Sequence, residues 1–380
     1  MNVKNVIMIS DYTYVEGGAA KVAIDTANLL AQKVNCIFIS PSYKNKSILS
    51  EKVLLYTSEQ GDCISNSNKI KGLKNGIRNK KFANLVKKVL DMYNPENTIV
   101  NIHGWTKACS AYFMKYVKQK KFVTYVTSHD YFLICANGGL YNYKKQKSCN
   151  LNPGSFKCKI CNCDSRSYFF KIYRNLRIKS YKKYFSNYVK VICVSEFQKE
   201  ILVKKIKNEI VVLHNPLKIL VGLEKVEKKY DYVFIGRTSK EKGFDLFEKL
   251  SHDFPEKTFL LVGTTNEKKK QDNMQITGWV DEYSVEKYLK QSRCMIFPSR
   301  WPETYGLNVK KALRYNVQCI VSSNTYASTI NDKRVFIFKQ GDYESLKEIV
   351  ENVKLDCPRE IKFEEKKDYI SDLLQIFEMR

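Results

Sequence analysis

A single carboxylate stands in a strongly basic stretch of the sequence, "PSRWPETYGLNVKKALRYN", at residues 298–316. Glu303 lies there among Arg300, Lys310 and Lys311. Because nearby cations favour the charged form of a carboxylate, Glu303 is expected to stay ionised. Its charge serves either a surface ion pair, which contributes little stability, or a site that requires a fixed negative charge.

A second stretch, "FIGRTSKEKGFDLFEKL", places two cations between a strand-like run and a helical one. The strand ends at Gly236, Arg237 follows, and Lys242-Gly243 opens onto the helix. Two cations beside a helix start can hold a diphosphate and stabilise the charge of a leaving group. The alternative is a solvated basic loop.

Three features of the first half also follow strand-like runs. Gly17 and Gly18, in "YTYVEGGAAKVA", precede the first helix, where their N–H groups could approach an anion; a tight turn without a ligand is the alternative. His129, beside Asp130 in "TSHD", faces a cleft or is a hydrogen-bonded structural residue. His103, in "NIHGWT", ends another strand and could approach an acceptor.

Five of the twelve cysteines fall in one segment: Cys135, Cys149, Cys158, Cys161 and Cys163. Cys158 and Cys161 form a C-x-x-C pair, and Cys135 and Cys149 would complete a tetrahedral zinc site, with Cys163 as an alternative ligand. We predict a structural zinc ion on this spacing. Spare buried thiols and a redox role are the alternatives.

Composition limits the class of protein. With 380 residues, two domains are the default, and 44% hydrophobic residues suit a globular chain. No apolar run approaches the roughly 20 residues of a membrane-spanning helix, and the four-residue apolar core before Asp11 is too short for a signal peptide. We therefore expect a cytoplasmic protein. The net charge of +26 favours an anionic partner, or reflects lysine on solvated faces.

Strand-like and helical stretches alternate in two series. The first contains "VIMIS" (6–10), "VNCIFIS" (34–40), "TIVNIH" (98–103), "FVTYVTSH" (122–129) and "VKVICVS" (189–195). The second contains "YDYVFIG" (230–236), "TFLLVG" (258–263), "NMQITG" (273–278), "CMIFPS" (294–299), "QCIVSS" (318–323) and "VFIFK" (335–339). Such apolar runs suit buried parallel strands, so the series predict an α/β fold of two facing, doubly wound, Rossmann-like domains with a cleft between them.

The domain boundaries follow from these series. We predict an N-terminal, acceptor-side domain over residues 1–215, with a Cys-rich insertion at about 135–163. A C-terminal, nucleotide-sugar-binding domain follows over 216–364, and a helix over 365–380 packs back toward the N-terminal domain.

The ordered motifs resemble those of the retaining nucleotide-sugar glycosyltransferases of family 4, which have the GT-B fold. The matches are Gly236-Arg237, Lys242-Gly243, Pro298-Ser299, Glu303 and Tyr305-Gly306, together with Gly17-Gly18, "TSHD" at 127–130, "VSEFQKE" at 194–200 and "HNP" at 214–216. The resemblance covers nearly the whole chain. It implies transfer of a sugar from a nucleotide-diphosphate donor with retention of anomeric configuration.

The resemblance also implies roles for single residues. Arg237 and Lys242 would bind the donor diphosphate and neutralise the leaving group. Glu303 would contact hydroxyls of the donor sugar, which His129 would face from across the cleft. The acceptor hydroxyl would attack on the face that the nucleotide leaves, and the donor phosphate would take the proton. Because the two cations supply positive charge and the chain has no D-x-D triplet, we expect catalysis without a metal or other cofactor.

Backbone positions complete the implied donor site. The segment Tyr305-Gly306-Leu307 would lie near the sugar and the phosphates. Gly17 and Gly18 would leave room for the donor phosphates and the acceptor.

One position departs from the family pattern. Lys311 replaces a second glutamate that commonly holds the nucleotide ribose, and lysine cannot accept hydrogen bonds from hydroxyls. Either Asn308 or another residue supplies the acceptor, or the nucleotide is held differently, or donor binding is lost. Loss would leave an inactive sugar-nucleotide-binding partner protein.

The stretch "RSYFFKIYRNLRIKSYKKYF", residues 166–185, contains no acid. Phe169, Ile172, Tyr173 and Leu176 recur at helical spacing. A basic aromatic helix of this kind can lie on an anionic leaflet, here the inner face of the plasma membrane. A core-packed helix with a solvated basic face is the alternative.

The acceptor implied by the family is a glycan or a polyprenyl-diphosphate-linked glycan, as in O-antigen, capsule or exopolysaccharide synthesis. A basic nucleic-acid-binding protein is the rival from another class. Because the cations are spread along the chain and no DNA- or RNA-binding motif is evident, we expect no nucleic-acid partner.

Overall fold

The structure, a computed structural model, describes residues 3–42, 48–61, 63, 68–185, 188–217, 226–263, 272–355 and 368–379. These residues form two α/β bodies, each built on one parallel sheet. The predicted boundary between residues 215 and 216 lies within the described residues, whereas the predicted boundary at 364 lies outside them.

The N-terminal body contains nine strands and seven α-helices among the described residues. The strands are β1 (Asn5–Ile9), β2 (Asn35–Ser40), β3 (Val53–Thr57), β4 (Thr98–Ile102), β5 (Val123–Ser128), β6 (Tyr141–Asn142), β7 (Lys147–Ser148), β8 (Lys190–Cys193) and β9 (Ile210–Val212). The helices are α1 (Gly18–Leu30), α2 (Lys69–Ile77), α3 (Lys80–Leu90), α4 (Met114–Gln119), α5 (Phe156–Ile160), α6 (Tyr168–Phe185) and α7 (Glu196–Val203). The main sheet has the order β3-β2-β1-β4-β5-β8-β9, and β6 and β7 form a separate antiparallel pair.

The C-terminal body repeats this plan. Its strands are β10 (Tyr230–Ile235), β11 (Phe259–Val262), β12 (Met274–Ile276), β13 (Ser292–Phe297), β14 (Gln318–Ser322) and β15 (Val335–Phe338). The helices in and after it are α8 (Phe244–Asp253), α9 (Glu282–Lys290), α10 (Leu307–Arg314), α11 (Tyr343–Asn352) and α12 (Tyr369–Glu378). The order β12-β11-β10-β13-β14-β15 reverses direction between β10 and β13, where doubly wound sheets bind ligands.

Both sheets are covered on their two faces, which explains their continuous apolar strands. In β1, Ile7 and Ile9 pack into a cluster with Phe82 of α3. Val6 and Met8 point the other way, into a cluster that includes α1 and α12. Strands buried on both sides cannot alternate with polar residues, so they read as unbroken runs of Val, Ile and Leu.

The predicted pair of Rossmann-like sheets is confirmed, and every strand predicted from the sequence is present. The sequence did not reveal β3 and β9, which are the edge strands of the first sheet. Most residues of β3 are partly or fully exposed, and β9 has only three residues. These two edge strands therefore lack the continuous apolar signal.

Helix α12, which follows the C-terminal body in the sequence, packs against the N-terminal body. Ile370, Leu373 and Phe377 enter the cluster beneath β1. The hydroxyl of Tyr125 donates to the carbonyl of Ile376 at 2.8 Å. This packing ties the end of the chain to the first sheet.

Helix α6 turns an apolar face outward. Phe169, Ile172 and Leu176 are exposed, whereas Tyr173 is buried. The buried face also carries Arg177, whose guanidinium donates to the carbonyl of Gly76 at 3.1 Å. The alternative of an apolar face packed in the core therefore fails for three of the four residues. Within the described residues, no helix is both long enough and apolar enough to cross a membrane.

Candidate active site

The two bodies meet through the loop that follows β13. Thr304 of this loop donates its hydroxyl to the carbonyl of His129, after β5, at 3.0 Å. Ser195 donates to the carbonyl of Thr304 at 2.6 Å. The hydroxyl of Tyr305 donates to the carbonyl of Asn215 at 3.3 Å. The carboxyl ends of β5 and β13 therefore face each other across the cleft.

Glu303 lies in this loop as the partner of Lys242. The ammonium of Lys242 forms an ion pair with Oε1 of Glu303, and Ser299 donates to the same oxygen at 3.0 Å. The two charged side chains are only 23% and 12% exposed. The Lys242 ammonium also lies 4.7 Å from the centre of the Trp301 ring. The structure thus joins two of the predicted site residues in one half-buried pair.

This pair can recognise two kinds of ligand group. The carboxylate accepts hydrogen bonds from hydroxyls, and the ammonium donates to phosphate oxygens. Oε2 of Glu303 makes no hydrogen bond within the described part of the chain. It is therefore available to a polyhydroxylated ligand.

Two buried polar atoms beside the pair lack partners. The hydroxyl of Tyr131 and Nε1 of Trp301 make no hydrogen bond to any described residue. Burial, with a smaller contribution from the Glu303 charge, holds the pKa of Tyr131 well above its usual value. Buried polar groups are nearly always hydrogen-bonded, so these two atoms are available to water or to a ligand.

Gly243 is what brings Lys242 to Glu303. Its φ of 74° lies in the left-handed region, and a Cβ there would lie 1.9 Å from the carbonyl oxygen of Pro298. Only glycine lets the turn before α8 pack this closely on the loop after β13.

Arg237 stands apart from the pair. Its side chain is 67% exposed, and Nη2 lies 3.5 Å from Oε1 of Glu241. A surface contact of this kind is weak. The guanidinium can therefore exchange Glu241 for an anionic ligand.

Two helix N-termini meet in the same cleft. Helix α1 begins at Gly18 and α10 at Leu307, and a Cβ on Gly18 would lie 3.9 Å from Cδ1 of Leu307. A Cβ on Gly17 would meet nothing within 4 Å. The N–H groups of Leu307 and Asn308 have no acceptor among the described residues. Free N–H groups at two converging helix starts favour an anion.

Gly306 and Tyr305 set the course of the loop into α10. Gly306 precedes the helix with a φ of 78°. The ring of Tyr305 is buried and stacks on Tyr326 with the ring centres 5.3 Å apart. Lys310 lies 4.6 Å from the centre of the Tyr305 ring, and burial lowers the pKa of Lys310 to about 8. Tyr305 thus anchors the loop with its side chain.

Lys311 is engaged away from the helix start. Its ammonium pairs with Glu282 and lies 2.9 Å from Oε1 of Glu286, both on α9. Glu282 also pairs with Lys21 of α1 at 2.9 Å. Lys311, at the position of the second family glutamate, therefore forms ion pairs with two glutamates of the neighbouring helix.

His129 is placed beside a second histidine. Its Nε2 lies 3.1 Å from Nδ1 of His103, the residue that follows β4. Burial lowers the pKa of His129 to about 4, and burial holds that of His103 well below its usual value. Both imidazoles are therefore neutral near pH 7.

Three of the five predicted zinc ligands lie near one lysine that the motifs did not suggest. Lys171 of α6 is only 1% exposed, and Cys163, Cys158 and Cys135 are close enough to affect its charge. Burial lowers the pKa of Lys171, but the thiols outweigh that effect and raise it. Cys149 interacts with Cys158 and Cys161.

Metal binding by these thiols stays a prediction. Asn142 donates from Nδ2 to Sγ of Cys161 at 3.4 Å, which helps to orient that thiol. Across the described residues, no three Cys, His, Asp or Glu side chains are arranged to hold a metal ion.

Sequence motifs missed Tyr131, Thr304 and Glu282. Thr304 and Glu282 act through contacts with residues far along the chain, as when Thr304 reaches His129 and Glu282 pairs with Lys21. Tyr131 directly follows the "TSHD" motif, which is the one signal that could have found it.

Part of the chain is similar to known sequences. Residues 218–368 match the family model described as "Glycosyl transferases group 1". A curated relative, the "Uncharacterized 41.2 kDa protein in cps region" of Klebsiella pneumoniae, is 30% identical over 135 residues. That match spans 31% of this chain and 37% of the length of the relative.

Solved structures match over most of the chain. Sucrose-phosphate synthase of Thermosynechococcus elongatus superposes with a TM-score of 0.63 at 14% identity, covering 92% of this chain and 90% of its own. HepE of Anabaena, solved with UDP and glucose, gives 0.60 at 11% identity, covering 91% and 89%. WaaG, a glycosyltransferase involved in lipopolysaccharide biosynthesis, gives 0.59 at 13% identity, covering 91% and 89%.

The chain has the GT-B fold. At these sequence identities the likeness to solved structures establishes the fold alone. The family match covers the C-terminal body, over residues 218–368.

Proposed function

We propose that this protein is a glycosyltransferase that moves a sugar from a nucleotide-diphosphate sugar to a glycan or lipid-linked glycan acceptor, with retention of anomeric configuration. The observation that carries the proposal is the Lys242–Glu303 pair. It lies beside two converging helix starts, in the body that matches the glycosyltransferase family model.

In the proposed site, some residues bind the diphosphate of the donor and others bind its sugar. Lys242 and Arg237 bind the diphosphate with the N–H groups of the α10 start. Because these groups are in place before the bond breaks, they stabilise the charge of the departing nucleotide. Glu303 holds donor-sugar hydroxyls through its unoccupied oxygen. We expect transfer to persist in the presence of EDTA.

Retention follows from attack on the face that the nucleotide leaves. In this proposal Glu303 is assigned to the sugar hydroxyls, with Oε1 accepting from Lys242 and Ser299 and Oε2 open to the ligand, and no protein nucleophile is invoked. The acceptor hydroxyl therefore attacks directly, its oxygen forms the new glycosidic bond, and its proton passes to the departing phosphate.

Nucleotide binding is the first test. Thermal unfolding is measured with UDP, other nucleoside diphosphates and a panel of nucleotide sugars, since the HepE neighbour was solved with UDP. We expect at least one to stabilise the wild type, and Arg237→Ala to lose the effect. The matched control is Arg293→Ala, an arginine that pairs with Asp231 at the opposite end of the sheet. No response to any nucleotide would refute the proposal.

Turnover separates an enzyme from an inactive binding partner. The stabilising nucleotide sugar is incubated with the protein, and hydrolysis and transfer are followed, with the anomeric configuration of the product read by NMR. Binding without any turnover would favour the inactive protein. An inverted product would refute retention.

The acceptor class is proposed from the relatives. WaaG is described as acting in lipopolysaccharide biosynthesis, and the Klebsiella relative lies in a cps region. We propose a surface-polysaccharide acceptor. Comparing a polyprenyl-diphosphate-linked sugar with the same free sugar as acceptor tests this, since equal rates would remove the lipid from the proposal.

The exposed face of α5 and α6 supports contact with an anionic membrane. Phe156 of α5 and Phe169 of α6 are 75% and 60% exposed, and Ile172, three residues after Phe169 on α6, is 46% exposed. Helix α6 contains no acid. Sedimentation with anionic and neutral vesicles should show binding to the anionic ones alone, weakened by Ile172→Ser. The control is Ile70→Ser, an isoleucine that is 67% exposed on α2. Equal binding to both vesicle types would refute the contact.

A further inference from the structure

A chain of four polar side chains runs through the N-terminal sheet to the cleft. The hydroxyl of Thr127 donates to Oδ1 of Asn101 at 3.0 Å. Nδ2 of Asn101 lies 3.1 Å from Nε2 of His103, and Nδ1 of His103 lies 3.1 Å from Nε2 of His129. Thr127, Asn101 and His103 are buried, at 4%, 0% and 4% exposure.

The amide group of Asn101 determines which atoms donate and which accept in this series of hydrogen bonds. An amide nitrogen can only donate, so Nε2 of His103 must accept and carry no proton. A neutral imidazole has one proton, which in His103 then sits on Nδ1 and is donated to Nε2 of His129. By the same reasoning, His129 carries its proton on Nδ1.

The surroundings of His129 leave that Nδ1–H for a ligand. Nδ1 has no hydrogen-bond partner among the described residues. The backbone carbonyl of His129 is fixed by Thr304, in the loop that also carries Glu303. The imidazole is therefore held at the cleft by its backbone on one side and by His103 on the other.

We propose that Thr127, Asn101 and His103 are positioning residues that fix His129 as the Nδ1–H tautomer, so that it donates a hydrogen bond to an oxygen of the bound ligand. The sugar identity of that ligand rests on the proposed function. In that setting the two sides of the cleft are complementary. His129 donates to an oxygen of the donor sugar, and Glu303 accepts from its hydroxyls.

In this arrangement His129 is a hydrogen-bond donor and not a general base. Its only unprotonated nitrogen, Nε2, already accepts from His103 and faces the protein interior. A base would need a free lone pair within reach of the attacking hydroxyl.

NMR of histidine side chains tests the tautomer without any substrate. The chain has only four histidines, so selective ¹⁵N labelling of the full-length protein gives few signals, which single His→Gln variants of His214 and His252 help to assign. Long-range proton–nitrogen spectra distinguish protonated from unprotonated ring nitrogens. We expect His129 to show a protonated Nδ1, and a protonated Nε2 would overturn the proposal.

Asn101→Asp should reverse the direction of these hydrogen bonds with almost no change in the shape of the side chain. The carboxylate accepts where the amide donated, so His103 is protonated at Nε2 and its Nδ1 becomes an acceptor. His129 then donates from Nε2 and turns a lone pair toward the ligand. An unchanged His129 tautomer in this variant would refute the positioning role.

A second pair of variants keeps the test open should Asn101→Asp not fold. In His103→Asn, an amide nitrogen can replace Nδ1 as the donor, and the His129 tautomer should persist. In His103→Leu the donor is lost, and we expect a mixture of both tautomers. The same tautomer population in both variants would contradict the proposal.

Kinetic and binding measurements test whether this tautomer matters for function. We expect Asn101→Asp to lower kcat/KM for the nucleotide sugar about tenfold, the scale of one hydrogen bond, and to leave the affinity for the free nucleoside diphosphate unchanged. Equal loss for both ligands would refute a role at the sugar. If the tautomers behave as expected but no nucleotide binds, the positioning inference stands and the proposed function fails.

Discussion

Reversing the charge of Lys311 tests whether this residue serves the fold of the C-terminal body. In Lys311→Glu, a third carboxylate would stand beside Glu282 and Glu286. The side chain of Glu286 is fully buried and that of Lys311 is 8% exposed. Removing one member of a buried ion pair costs about 3–5 kcal/mol, and the added like charge increases the loss. Glu282, at 29% exposure, is screened by water and adds less.

The loss should appear in thermal unfolding. For a domain of this size, 1 kcal/mol lowers Tm by about 2–4 °C, so a loss of ~4 kcal/mol corresponds to a drop of roughly 8–16 °C. Differential scanning calorimetry would measure it. The matched control is Lys287→Glu, which makes the same charge change at an exposed position of α9.

A charge exchange completes the experiment. Glu286→Lys combined with Lys311→Glu restores opposite charges at the buried contact, so it should recover part of the lost Tm. Equal unfolding temperatures for Lys311→Glu and Lys287→Glu would refute the reasoning. So would tighter nucleotide binding by Lys311→Glu at unchanged stability, because Lys311 would then be a lost ligand contact and not a structural one.

Three further outcomes are expected. Glu303→Gln should lower the transfer rate about 100-fold at saturating donor, as for removal of one transition-state contact, while the exposed Glu344→Gln does not; an unchanged rate would remove Glu303 from the site. The purified protein should contain about one zinc per chain by elemental analysis, lost in Cys158→Ser and kept in Cys294→Ser, and zinc-free wild type would contradict the prediction. Because the pKa of His129 falls from 6.5 to about 4 on folding, its contribution to stability is present above pH 6.5 and is lost as the pH falls toward 4. Urea unfolding from pH 7.5 to 4.5 should show a steeper decline in the wild type than in His129→Gln, and parallel profiles would contradict that shift.

The fold could be predicted because strands buried on both faces leave a continuous apolar signal. The contacts between side chains from different motifs could not be predicted in this way. The sequence marks Lys242 and Glu303 as members of separate motifs, but nothing in it shows that they form one ion pair. Their contact depends on Gly243 and on the close packing of two loops. Tertiary packing, which local patterns do not encode, decides such contacts.

The environment of α6 shows a second limit of periodicity. Spacing correctly indicates that Phe169, Ile172 and Leu176 share a face, but it does not say whether that face is buried. A general preference for apolar residues inside the protein favours the core, and these residues lie outside. The buried face instead holds Lys171 among cysteine thiols. A charged residue inside the protein follows from its partners, which lie in a different segment of the chain.

Asn308 is the residue that we expect to contact the nucleotide ribose in place of Lys311. Lys311 and both oxygens of Glu282 are engaged in ion pairs. Asn308, on the first turn of α10, makes no side-chain hydrogen bond to any described residue, and its amide carries an acceptor oxygen. We therefore expect Asn308→Ala to weaken UDP binding about tenfold and to leave pyrophosphate binding unchanged, because only UDP has a ribose. Calorimetric titration with both ligands would decide this. Equal weakening for the two would place Asn308 at the phosphates, and no weakening for either would place the ribose elsewhere.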